Sequence, residues 1–260
     1  MERTFWQWVV LIVEKYWPKF LSGAGTTLLI ALTGTVIGFC IGLIIGVIKT
    51  IPINKNDNII KKVFARIINF ILSAYIEVFR GTPMIVQAMV IYYGLMEGFQ
   101  IDLAPLSAAI LIVSINTGAY MSEIVRGGID SIDKGQFEAA HAIGMTHWQT
   151  MVNVIIPQTV RNILPATSNE FVINIKDTSV LNVIAVSELY YVSKDIKGTL
   201  FRTFEVFFVT CVIYFIMTFT ITRILRFIER KLDGPSSYVI HQSSTMPNTE
   251  FVAKRRTENE

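Results

Sequence analysis

From Leu21 to Ile48 the chain carries no charged residue. At a rise of 1.5 Å per residue, a helix over this run is long enough to cross the roughly 30 Å of hydrocarbon in a bilayer. Water is absent there, so the backbone must satisfy its own N–H and C=O groups. Composition extends the same inference to the rest of the chain. Hydrophobic residues make up 52% of it and charged residues only 17%, with a mean hydropathy of +0.50, outside the range of an ordinary soluble domain. The apolar residues fall into long runs separated by short charged segments, which predicts one helical bundle in a membrane. The net charge of +3 does not point to nucleic acid, because the basic residues flank apolar runs and form no stripe interleaved with exposed aromatics.

Residues 5–20 mix Trp6, Trp8, Tyr16 and Trp17 with Glu14, Lys15 and Lys19, which predicts an interfacial helix ending near Pro18. No cleavable signal peptide is evident there. The first span is Leu21–Ile48. Within it Gly34, Gly38, Gly42 and Gly46 recur every fourth residue, forming one stripe where another helix backbone can approach closely. Lys49, Lys55, Lys61, Lys62 and Arg66 then face a single acid, Asp57, so this segment is expected in the cytoplasm and the amino terminus outside. Further spans are expected at Ile67–Leu95, Ala104–Val125, Ile163–Val186 and Phe204–Phe227, about five in all. The loop with Glu97 and Asp102 falls outside, and Arg223, Arg226, Arg230 and Lys231 place the end of the last span inside. One loop is discordant: Glu188–Arg202 must be outside, yet it carries Lys194, Lys197 and Arg202. The domain plan is an interfacial segment at 1–20, a membrane domain at 21–231 with a cytoplasmic loop at about 127–161, and a disordered cytoplasmic tail at 232–260.

Cys40 and Cys211 both lie in apolar runs, and His141, His147 and His241 have no carboxylate or cysteine grouping, so no metal site is expected. No Gly-rich phosphate loop occurs, so ATP hydrolysis is not expected in this chain.

Four stretches are more specific. The cytoplasmic loop contains Glu138-Ala139-Ala140, then Gly144, then Val154, Ile156 and Pro157. The others are Glu77-Val-Phe-Arg80-Gly81-Thr82-Pro83 with Gln87 and Tyr92-Tyr93-Gly94-Leu95, then Tyr120-Met-Ser-Glu123-Ile-Val-Arg126-Gly127-Gly128-Ile129, and Asn169-Glu170-Phe171 through Lys176-Asp177-Thr178-Ser179. Together they resemble the permease subunit of binding-protein-dependent ABC importers, in the subfamily that takes up polar amino acids. Over roughly residues 20–230 the resemblance implies an all-α, multi-pass type I importer fold in the bacterial cytoplasmic membrane. It departs from the pattern at Val154 and Ile156, where Ile and Leu are usual. It further implies a homodimer or a pair with a similar subunit, an ABC ATPase dimer that carries ATP and Mg, an extracytoplasmic amino-acid-binding protein, and no cofactor in this chain. Glu138, Ala139, Ala140 and Gly144 would form the helix that couples to the ATPase.

An ionisable group at membrane depth costs about 2.5 kcal/mol or more unless it is paired or faces a polar cavity. Glu170, Asn174 and Asp177 share one helical stripe, and Lys176 lies beside it. A zwitterionic amino acid needs acceptors such as Glu170 or Asp177 and donors such as Arg80 or Lys176. Pro83 with Gly81 could unwind the second span beside Thr82 and Gln87 and free backbone groups for the solute. Structural pairing within a helix, Glu77 with Arg80 and Glu123 with Arg126, is the competing reading of those residues. Rival functions are an ion-coupled secondary carrier, which should show inverted halves, and a membrane receptor or enzyme, which needs a soluble domain or a catalytic constellation.

Overall fold

The structure is a computed structural model that describes residues 3–51 and 58–232. Lys55, Asp57, His241 and the expected tail after Leu232 lie outside the described residues. Among the described residues every regular element is helical: α1 (Phe5–Lys49), α2 (Ile59–Gly81), α3 (Met84–Tyr93), α4 (Pro105–Asp130), α5 (Lys134–Ala142), α6 (His147–Thr150), α7 (Ile156–Asp177), α8 (Leu189–Leu200) and α9 (Thr203–Leu232). α1, α4 and α9 are each long and apolar enough to cross a membrane. The other two expected spans, carried by the α2–α3 pair and by α7, are interrupted: α3 is apolar but short, and α7 is more polar.

The seam between α1 and α4 organises the bundle. A Cβ added at Gly34, Gly38, Gly42 or Gly46 would collide with Val113, Thr117, Met121 or Val125, respectively. Both series advance by four residues in the same direction, so the two helices run parallel with their backbones in close contact. Small residues permit this approach where lipid supplies no hydrophobic drive and only close packing holds helices together. Around the seam lie three apolar clusters. One joins Ile30, Ile112 and Val113 to Leu181 and Ile184; one joins Ile12, Tyr16 and Phe20 to Leu189, Ile196 and Val206; the third joins Val47 and Val125 to Met151, Ile155 and Ile163.

Three expected boundaries are corrected. α1 does not end near Pro18 but runs through it as one helix. Proline removes one backbone donor, yet Ile12 and Tyr16 before it and Phe20 after it are buried against α8 and α9, and this packing holds the helix on both sides. The amino-terminal segment is therefore continuous with the first span. The expected span Ile67–Leu95 breaks at Thr82, which is extended (φ −121°, ψ 147°) ahead of Pro83. The expected span Ile163–Val186 is α-helical only to Asp177 and tightens into a 3-10 turn, Thr178–Ile184, closed by Ala185 in the left-handed region.

The discordant loop is itself a helix. Glu188 is fully buried and caps α8, accepting hydrogen bonds from the Tyr190 and Tyr191 amides and the Tyr214 hydroxyl at 2.9, 2.7 and 3.0 Å. Of its cations, Lys194 donates to Asn182 at 3.3 Å and Arg202 lies 3.9 Å from Glu205.

Candidate functional site

The break between α2 and α3 frees carbonyls that an unbroken helix would use. The Gln87 amide donates to the carbonyls of Phe79 and Thr82, each at 2.9 Å, and its own oxygen accepts from the Asn116 side chain at 2.8 Å. Gln87 is buried, so it acts as a staple for the break. Thr82 is exposed and its hydroxyl donates to the Val78 carbonyl at 2.8 Å.

Arg80 ends α2 half-exposed. Its guanidinium lies over the Tyr120 ring, 5.5 Å from the centroid, and 3.9 Å from Glu123 on α4. The contact to Glu123 crosses between helices, unlike the intrahelical pairing with Glu77 weighed from the sequence. Glu123 also binds Arg126 at 3.0 Å, and Arg126 binds Asp130 at 2.8 Å. Glu170 on α7 is partly buried and lies within electrostatic reach of both Arg80 and Asp177. Side chains from α2, α4 and α7 thus bring both signs of charge to one region of the bundle.

The expected stripe on α7 is divided. Asn174 is buried and turns into the bundle, donating to the Thr35 and Thr117 hydroxyls at 2.8 and 3.0 Å. It ties α7 to the glycine seam. Lys176 and Asp177 are exposed beside it. Tyr120 and Glu123 were not singled out as site residues from the sequence, although the stretch Tyr120–Ile129 was marked as a motif. The available signal was their spacing of four and seven residues from Asn116, which puts all three on one face of the helix toward the same break.

On the loop between α4 and α7, α5 turns Phe137 and Ala140 inward and leaves Glu138 and Ala139 exposed. Gly144 has φ +81°, a conformation other residues adopt at a cost, and it reverses the chain between α5 and α6. Ile143 and Trp148 stand on either side of this turn, 78% and 63% exposed. Behind them the His147 Nε2 is buried without a partner, and burial, with a smaller contribution from His141, holds the imidazole below its ordinary pKa.

Residues 59–234 match the family described as binding-protein-dependent transport system inner membrane component. The chain belongs to that family. It is a permease subunit of an ABC importer, seated in the membrane through several helices. It is 38% identical over 216 residues to the glutamine transport system permease protein GlnP of Escherichia coli (strain K12), covering 83% of this chain and 93% of that one. It is 35% identical over 224 residues to the L-cystine transport system permease protein TcyB of Bacillus subtilis (strain 168), covering 86% and 90%. Among solved structures, a chain of an amino acid ABC transporter with histidines superposes with a TM-score of 0.75 at 38% identity, covering 89% of this permease and all of that chain.

Proposed function

We propose that this permease passes a polar amino acid across the cytoplasmic membrane, with Arg80 meeting the solute carboxylate and Glu123, Glu170 or Asp177 its ammonium. The observation that carries this reading is the approach of Arg80, at the interrupted α2–α3 segment, to Tyr120 and Glu123 of α4. Uncompensated charge is costly at membrane depth, and a zwitterion supplies the opposite charges in transit. Thr82 lies at the break itself and Gln87 holds it in shape, while Asn174 and Lys176 belong to α7. The relatives that handle glutamine and cystine agree with this class of solute.

The exposed Glu138, Ala139, Ile143 and Trp148, with the turn at Gly144, support docking of this loop onto an ABC ATPase that binds ATP and Mg. On this reading the loop and the carboxyl terminus are cytoplasmic, the amino terminus is outside, and a solute-binding protein meets the outer face. Pairing with a second permease subunit would close the path.

The test is ATP-dependent uptake of a panel of labelled amino acids into proteoliposomes holding this chain with its ATPase and binding protein. Uptake of one polar class should collapse in Glu138→Arg. Arg80→Gln should lower it at least about tenfold, the cost of one charge-assisted hydrogen bond. Uptake that proceeds without ATP and ignores Glu138 would favour an ion-coupled carrier.

A further inference from the structure

An apolar groove runs between the first halves of α1 and α9. Val9, Val13 and Trp17 line one wall and Val209, Val212 and Ile216 the other, and every side chain bordering it is apolar. Both helices are long and apolar enough to cross a membrane, so the groove runs at membrane depth.

At the end where both helices begin, the chemistry changes sharply. Trp8, one residue before the groove starts, has two guanidinium groups over its ring: Arg3 at 4.9 Å and Arg202 at 4.7 Å from the centroid. Among the described residues Glu205, 3.9 Å from Arg202, is the one carboxylate paired with either. The indole N–H of Trp8 is buried with no acceptor. Tryptophan and arginine at a helix end sit at headgroup depth, and guanidinium groups match phosphate oxygens in geometry and charge. The surplus of positive charge stands at the mouth of a slot whose interior suits only hydrocarbon.

We infer that this groove binds an anionic phospholipid, its phosphate held by Arg3 and Arg202 and one acyl chain laid between α1 and α9. The amphiphile matches both halves of the site at once. Bound there, it bridges the two helices whose amino-terminal turns otherwise touch through Phe5, Phe204 and Phe208.

Native mass spectrometry of the intact transporter, purified with its partner subunits and offered equal phosphatidylglycerol and phosphatidylcholine, tests this. Wild type should retain phosphatidylglycerol preferentially. Arg3→Gln and Arg202→Gln should each reduce that preference roughly fivefold. Arg202→Lys should keep most of it, which separates headgroup binding from misfolding. Val212→Trp, filling the groove, should lower retention of both lipids. Equal retention of the two lipids by wild type, or a preference that survives in the Arg3→Gln/Arg202→Gln double variant, would overturn the inference. So would a disulfide between two copies carrying Val212→Cys in a Cys40→Ser/Cys211→Ser background, because a second chain would then cover the groove.

Discussion

The α1–α4 seam and the α2–α3 break are built from opposite materials. In the seam, glycines bring two helix backbones together over several turns, and Thr117 at its centre exchanges hydrogen bonds with Asn174. Its contacts set glycine backbone directly against Val113, Thr117, Met121 and Val125, leaving neither helix room to shift. At the break, polar side chains replace the backbone's own hydrogen bonds, and Ile76 is the one buried hydrophobic residue of α2. Few buried apolar contacts and side-chain-mediated bonds mark a region of low local stability, the kind from which moving parts are drawn. A transporter needs both: a seam that stays closed and a segment that rearranges around the solute.

The sharpest way to break this contrast is to load the seam. Gly42→Leu forces a side chain against the Met121 and Ser122 backbone and should cost about 3 kcal/mol, while Gly25→Leu, whose added Cβ meets nothing, should stay within about 0.5 kcal/mol. Thermal unfolding of the purified protein in detergent separates them; equal effects would deny the seam its rigidity. Next in size, Gln87→Leu strands the Thr82 carbonyl and leaves the Phe79 carbonyl and the Asn116 amide only their mutual 3.4 Å bond, an expected loss of about 1–3 kcal/mol. Hydrogen exchange around Val78–Met84 should rise while exchange along the seam does not change. Asn174→Ala removes an interhelical hydrogen-bond node at a cost of about 1 kcal/mol, because Thr35 keeps its bond to the Ala31 carbonyl. Unlike Arg80→Gln, this variant should lower unfolding temperature more than it lowers uptake.

The smallest effect concerns pH at the α5–α6 loop. His147 has a folded pKa below its unfolded value near 6.5, so its neutral form contributes stability that is fully present above about pH 6.5. That contribution is lost as pH falls through the folded pKa, when the unfolded chain binds the proton first. Amide protection over Thr146–Thr150 should decline between roughly pH 7 and 5.5, and His147→Gln should remove the dependence.

Much of the membrane architecture was legible. Runs of apolar residues respond to a medium that accepts nothing else, so Leu21–Ile48, Ala104–Val125 and Phe204–Phe227 fall within α1, α4 and α9. The glycine stripe was visible as a periodicity, but its partner series Val113, Thr117, Met121 and Val125 was not, because nothing local identifies which helix lies opposite. Pro18 and Pro83 show the same limit. Each removes one backbone donor, yet α1 passes through Pro18 and the chain breaks at Pro83. The difference lies in neighbours far along the chain: Leu189 and Val206 packed against the helix around Pro18, and Asn116 supporting Gln87 beside Pro83.

The candidate site divides likewise. Arg80, Glu170 and Asp177 stood out because ionisable groups in a span are costly wherever the chain goes. Asn174 was placed on their stripe by helical spacing alone, and the tertiary structure turned it inward to Thr35 and Thr117, since a neutral amide is satisfied by hydroxyls within the protein. Glu123 entered the site only through its approach to Arg80. The sequence by itself determined that this is a multi-pass helical membrane protein of the importer permease family, because hydropathy, charge and local motifs act over short stretches of chain. Which helices meet, where they break and which charges face one another was decided by the tertiary structure, because each depends on partners brought together from distant parts of the sequence.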